Sequence, residues 1–214
     1  MISLFIDTSN QHLIISIYKN DNVIGYCDEK SDNDLSVKLL PYIDNMLSKN
    51  NMKIDDIDNI FVVNGPGSFT GIRIGVTTAK TIAWGKNKKI NTISELELLS
   101  SIETNKKYIV PLIDARRGYV YTAMYDKNGN NIINDSYQEL EKFYTELRNN
   151  YDICDIEFVS YDEFELPTIK PCIDVLKVLK RHMNEPGMNP HKVNPNYLKL
   201  TEAEEKLNDK RNNS

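Results

Sequence analysis

Residues 5–19 read FIDTSNQHLIISIYK and residues 112–127 read LIDARRGYVYTAMYDK. Laid one over the other, they place Asp7 on Asp114, Tyr18 on Tyr125 and, after one insertion, Lys19 on Lys127. Each stretch is an apolar run, a polar turn and a second apolar run, the pattern of a strand hairpin. The flanking sequence repeats too. In the first half, strands are predicted over 2–7, 13–18 and 23–27, separated by turn-rich residues 8–11 and 20–22. Leu35, Leu39, Leu40, Ile43 and Leu47 then recur at helical spacing. A strand over 60–63 and a helix over 74–84 follow. In the second half, strands are predicted over 108–113, 119–125 and 131–133, with a turn over 127–130. Leu140, Phe143, Tyr144 and Leu147 mark a helix, before a strand over 156–160 and a helix over 173–181. Both halves read βββαβα.

A tandem pair of such lobes resembles the actin, sugar-kinase and Hsp70 fold, a two-lobed α/β architecture. The lobes are expected over 1–105 and, shorter and divergent, over 106–200, with a polar, flexible tail over 201–214. The resemblance implies that the two Asp-bearing hairpins face each other across a cleft that holds nucleotide phosphates and a metal. The hairpins depart from that pattern. Phosphate hairpins of the superfamily carry glycines directly after the Asp. Here Thr8, Ser9 and Asn10 follow Asp7, and Ala115, Arg116 and Arg117 follow Asp114, with Gly118 only later. Long side chains there obstruct the approach of a phosphate to backbone N–H groups. For Asp7 and Asp114 two readings stand: ligation of a hydrated cation, or hydrogen bonding within the hairpin turn.

Residues 64–75, NGPGSFTGIRIG, hold four glycines and one proline between the 60–63 strand and the 74–84 helix. Glycine suits a tight strand-to-helix turn because it tolerates positive φ and lets other groups approach the backbone. Ser68 or Thr70 can cap the helix. A helix start with free N–H donors can hold an anion, so Gly67, Ser68 and Thr70 form a possible anion turn, while Asp7, Thr8, Ser9 and Asp114 belong to vestigial hairpins; no firm cofactor-binding residue is expected. A Walker loop needs Lys before Ser or Thr, and no Lys lies between Lys53 and Lys80. The other reading is a structural turn. Gly71, Gly75, Ala79 and Ala83, four apart, share one face with almost no bulk. Another backbone, from the same chain or a partner, can come close there, and burial of this face on the chain's own sheet is the simpler explanation.

The chain has 214 residues, 40% of them apolar, enough for one domain or two small lobes. A formal charge of −5 argues against unaided binding to nucleic acid or acidic membrane. Basic clusters at Lys86/Lys88/Lys89, at Arg116/Arg117 and over 177–192 read as solvated surface. No run has the length of a membrane span, and the N-terminus lacks signal-peptide features. Cys27, Cys154 and Cys172 share no metal spacing and read as reduced thiols of a cytoplasmic protein.

IDTS at 6–9, GPGSFTGIRIG at 65–75, IDAR at 113–116 and PNYLK at 195–199 resemble the TsaB (YeaZ) family of tRNA threonylcarbamoyladenosine biosynthesis. The resemblance covers residues 1–125 and the isolated 195–199 motif. Tyr119, Lys199 and Ser31-Asp32-Asn33-Asp34 depart from common family residues. The resemblance implies a non-catalytic scaffold, paralogous to the catalytic subunit TsaD. With TsaD and the ATPase TsaE it serves transfer of threonylcarbamoyl to adenosine 37 of tRNAs reading codons that start with A. It implies a homodimer through the surface used for TsaD, contact with tRNA through the complex, and no membrane. No cofactor is expected on this chain alone; ATP and metal belong to the partner subunits. The helix over 35–47 has apolar residues beyond one stripe, and the family docks it together with the glycine-turn helix. Val37, Leu40, Met46, Gly71 and Gly75 are therefore the expected partner-binding residues. The rival readings are a small-molecule kinase, which needs intact phosphate hairpins, and a metalloprotease. The latter needs paired metal ligands, and His12, His182 and His191 have no such spacing.

Overall fold

The computed structural model describes residues 1–30 and 34–199; residues 31–33 and the expected tail over 201–214 lie outside the described residues. The fold is two-lobed α/β, each lobe built on one mixed sheet. In the first, β1 (Ile2–Asp7) is central, antiparallel to β2 (His12–Lys19) and parallel to β4 (Asn59–Val63). β3 (Asn22–Lys30) forms one edge and β5 (Lys89–Ile93) the other, giving the order β3-β2-β1-β4-β5. In the second, β6 (Tyr108–Asp114), β7 (Tyr119–Asp126), β8 (Asn131–Glu139) and β9 (Ile156–Val159) stand in the order β8-β7-β6-β9. The duplication is thus physical: β6 pairs antiparallel with β7 and parallel with β9, as β1 does with β2 and β4.

The first sheet is covered on both faces, which explains its nearly unbroken apolar strands. Leu4, Ile6, Leu13, Ile15 and Ile17 pack under α1 (Leu35–Lys49) and α2 (Phe69–Gly85). On the other face, Phe5, Ile14, Phe61 and Val63 meet Val175, Val178 and Leu179 of α5 (Val175–His182). The second lobe drawn from sequence includes this helix, yet α5 returns to the first sheet. The second sheet packs Val110, Leu112, Val120 and Met124 against Phe143 and Leu147 of α4 (Leu140–Asn150).

The strand β5 and the five-residue α3 (Glu95–Leu99) are absent from the sequence reading, as are three single-turn 3-10 helices among the described residues. α3 lies at the junction of the lobes, with Leu96 packed against Ala123 and Tyr125. α2 also starts earlier than its 74–84 pattern. Ser68 is its N-cap, accepting from the Gly71 N–H at 3.2 Å, and Thr70 lies inside the helix.

A terminal strap joins the lobes. Val193 is buried in the first core. The Asn196 N–H donates to the Asn64 carbonyl at 2.7 Å. The Tyr197 ring stacks on Phe69 at 4.1 Å, and its hydroxyl accepts from Arg73 Nε at 2.7 Å. Leu198 then packs on Leu96, Ala123 and Tyr125. Among the described residues no helix is long and apolar enough to cross a membrane.

Candidate functional site

The two hairpins do face each other. Between them lies a cavity of about 760 Å³, lined by Ser9 and Asn10 of the first, Asp114 and Arg116 of the second, the glycine turn, α3 and Tyr161. The Asp residues use the same device in both lobes. Asp7 Oδ1 accepts from the Ser9 N–H at 2.7 Å, and Asp114 Oδ1 from the Arg116 N–H at 2.8 Å. Hydrogen bonding within the turn, one of the two expected readings, is present in both. Arg116 and Arg117 reach left-handed φ values of 68° and 57°, and both side chains are exposed. Of the two, Arg116 lines the cleft, so a long side chain stands where a phosphate hairpin has glycine.

The glycine turn is closed by its own chain. The Ser68 N–H donates to the Ser9 carbonyl at 2.6 Å. A Cβ on Gly67 would strike that same carbonyl, and one on Gly71 the Thr8 carbonyl. A Cβ on Gly75 would strike Thr8 Oγ1, which itself donates to the Gly71 carbonyl at 2.7 Å. Gly71 and Gly75, expected on the partner surface, are buried here against β1. Their absent side chains let α2 sit on the end of that strand. The expected anion turn over Gly67, Ser68 and Thr70 likewise has its Ser68 donor occupied, although Ser68 and Thr70 line the cavity.

Glu95, which lines the cavity, forms with Asp7 beside it a pair the sequence reading missed. Asp7 and Glu95 are both fully buried. Asn10 Nδ2 bridges them, at 3.1 Å from Asp7 Oδ2 and 2.8 Å from Glu95 Oε1. Burial raises the pKa of Asp7; burial and then the Asp7 charge push Glu95 well above the usual carboxylate range. Among the described residues, Glu95 Oε2 and Ser9 Oγ are buried with no partner in hydrogen-bond geometry. The available signal was the S-x-x-E spacing of Ser94 and Glu97, which marks a helix start; Ser94 is indeed the N-cap of α3.

The partner-face residues separate. Val37 is 72% exposed and Leu40 54%, both outward on α1. Met46 is 8% exposed and belongs to the core. It fills the space left by Gly25 on β3, whose added Cβ would overlap the Met46 Cγ and Sδ. The histidines stand apart. His12 Nδ1 is 2.7 Å from Asp28 and its ring stacks on Tyr161, His182 lies between Glu97 and Glu185, and His191 meets the edge of Trp84. Among the described residues no group of three or more His, Cys, Asp or Glu is placed to hold a metal ion.

A family model described as TsaD, tRNA N6-adenosine threonylcarbamoyltransferase, matches residues 15–172. The Bacillus subtilis tRNA threonylcarbamoyladenosine biosynthesis protein TsaB is 41% identical over 131 residues, 60% of this chain and 57% of that protein. TsaB of Buchnera aphidicola subsp. Schizaphis graminum is 32% identical over 130 residues, 59% of this chain and 61% of that protein. The chain thus spans less than two thirds of the length of these curated relatives. A Pseudomonas aeruginosa structure, described as an uncharacterized protein with similarity to peptidase YeaZ, superposes with a TM-score of 0.76 at 19% identity. It covers 92% of this chain and 99% of that one, a likeness of fold. The duplicated lobes, the glycine turn shut on its own hairpin and the span of the match agree: the chain belongs to the TsaD family and, within it, to the TsaB (YeaZ) branch.

Proposed function

We propose that this chain serves tRNA threonylcarbamoyladenosine formation as a non-catalytic subunit that binds and activates a TsaD-type catalytic paralogue. In this reading a TsaE-type ATPase joins the pair. The complex acts on adenosine 37 of tRNAs reading codons that start with A, in the cytoplasm. Nucleotide and metal are held by the partner subunits. The observation that carries the reading is the closure of the glycine turn, where the Ser68 N–H is occupied by the Ser9 carbonyl. Where the superfamily grips phosphate, this chain grips itself. The exposed Val37 and Leu40 supply an apolar face on α1 for the partner, and the same face serves a homodimer.

The test is reconstitution of the full chain with the catalytic subunit, the ATPase and tRNA. The lone chain is expected to turn over no ATP, and addition of the catalytic subunit to give modified tRNA. Val37→Glu and Leu40→Glu are each expected to reduce pull-down of the catalytic subunit and of a second copy at least tenfold, with an unchanged unfolding midpoint. Normal binding by folded variants refutes the docking face. The cleft with its buried Asp7–Glu95 pair favours a second reading, a small-molecule kinase. Turnover by the lone chain that Asp7→Asn abolishes decides for it.

A further inference from the structure

Two basic clusters far apart in sequence meet at one corner of the first lobe. The chain's one tryptophan, Trp84, is 67% exposed at the end of α2. Lys86, Lys88 and Lys89 follow it into β5. Residues 187–193 return beside them: the Met188 N–H donates to the Ile90 carbonyl at 2.7 Å, and Gly187 lies against the Lys89 side chain. This return brings His191 to the Trp84 ring, with centroids 6.0 Å apart, and Lys192 next to it. The opposing acid is Asp55. It pairs with Lys86 at 2.9 Å, and its carbonyl accepts from Lys88 Nζ at 2.6 Å. Lys89 and Lys192 are exposed and form no ion pair among the described residues.

An indole open to solvent, flanked by cations and held on a rigid helix end, suits an unpaired base with its phosphates. In a chain of net charge −5 such a corner is a local exception. A purely apolar protein contact would leave Lys89 and Lys192 to be desolvated without partners. We propose that Trp84, Lys88, Lys89, His191 and Lys192 form a contact for single-stranded RNA. Trp84 stacks on one base and the lysines meet adjacent phosphates. The proposal rests on the tRNA-modification reading and adds to it the surface of this subunit that touches RNA.

The sole tryptophan is also the probe. Titration of the full chain with unmodified tRNA and with a uridine homopolymer is expected to quench Trp84 emission, more weakly as salt rises. By anisotropy of labelled RNA, Trp84→Ala is expected to weaken binding about tenfold, while Trp84→Phe keeps most of it. Lys89→Glu and Lys192→Glu should each lower the slope of log K against log salt by about 0.7. These side chains are exposed, so equal unfolding midpoints verify the variants. RNA that leaves Trp84 emission unchanged, or binds all variants equally, overturns the proposal. Quenching by the catalytic subunit alone overturns it in favour of a protein contact. Either failure leaves reconstituted tRNA modification intact, whereas failure of the functional reading abolishes that activity while Trp84 quenching by RNA persists.

Discussion

Gly71 sets the distance between α2 and β1. The helix lies so close that the Thr8 carbonyl occupies the place of a Gly71 side chain. Gly71→Ala is therefore expected to push against backbone that cannot rotate away, costing about 1–3 kcal/mol. Gly85, at the end of the same helix, has nothing within 4 Å of an added Cβ. Gly85→Ala is expected to stabilise by roughly 0.5–1 kcal/mol through helix propensity. Urea unfolding of the two variants checks both signs. The small-residue face was legible in the sequence because spacing alone puts 71, 75, 79 and 83 together, and its burial against the chain's own sheet was the simpler expectation; its contact with the Thr8 carbonyl was not legible. Met46 shows the reverse failure. Helical spacing put it on the open side of α1, and the pocket that buries it exists only because β3 carries Gly25. Glu95 is the other residue hidden from sequence, and it makes a pH prediction. Its folded pKa is raised by burial and by Asp7, so its protonated form is stabilised by folding. That stability is complete below the unfolded carboxylate pKa and is lost as pH rises through the folded value. Glu95→Gln keeps the shape and removes the charge. It should raise the unfolding free energy at pH 8 by on the order of 1 kcal/mol, with little gain at pH 4. An equal effect at both values refutes the charged-pair account.

At the scale of elements, α5 is anchored through its last turn. His182 Nε2 is 3.0 Å from each Glu97 oxygen and Nδ1 is 2.9 Å from Glu185 Oε1. Arg181 Nη1 donates to the Gly129 carbonyl of the β7–β8 turn at 2.9 Å and lies 3.6 Å from Glu97. The first cause of the raised His182 pKa is its bond to Glu97. A histidine raised in this way contributes fully below its unfolded pKa, about 6.5, and loses that contribution as pH climbs through the folded value. The unfolding midpoint is expected to fall above pH 6.5 in the wild type, and His182→Gln to remove most of that slope. Denaturant melts at a series of pH values give the comparison, and an unchanged slope in the variant excludes His182 as its source. Most elements were legible. The β1–β2 and β6–β7 hairpins carry long apolar runs, and α1 and α4 carry clear helical spacing. β5 and α3 were not, since five residues hold too little periodicity and α3 is one turn stabilised by its cap and tertiary burial. β8 was read as 131–133 because its later residues, NDSYQE, are those of a half-exposed edge strand.

At the scale of the molecule, the repeat predicted two lobes, the fold resemblance implied two facing hairpins, and both are present. It was silent on what fixes one lobe against the other, because one of the segments involved, α5, leaves its place in the repeat, and the other two, α3 and the strap, have no copy in the other half. α5 crosses to the first sheet, α3 lies between the sheets, and the strap of residues 193–199 spans both. The strap also binds residue 64, before the glycine turn, through Asn196, and α2 just after it through Tyr197. The angle between the hairpins, and hence the cleft, accordingly depends on a segment that neither lobe's core pattern contains. Lys199 extends this link, its Nζ lying 5.3 Å from the Tyr137 ring of β8 while it lines the cleft. Tyr197→Ala with Leu198→Ala removes the stacking and the apolar bridge, and leaves Val193 in its core. The double variant is expected to remain folded, at a cost of about 1–3 kcal/mol. Its sharper signature is local. Amide exchange should accelerate at residues 64–68 and 114–118, on the two sides of the cleft, by more than in the central strands β1 and β6, which open only with global unfolding. If exchange rises uniformly, the strap contributes stability without holding the lobes. If it rises on neither side of the cleft, the cleft is held by α3 and α5 alone.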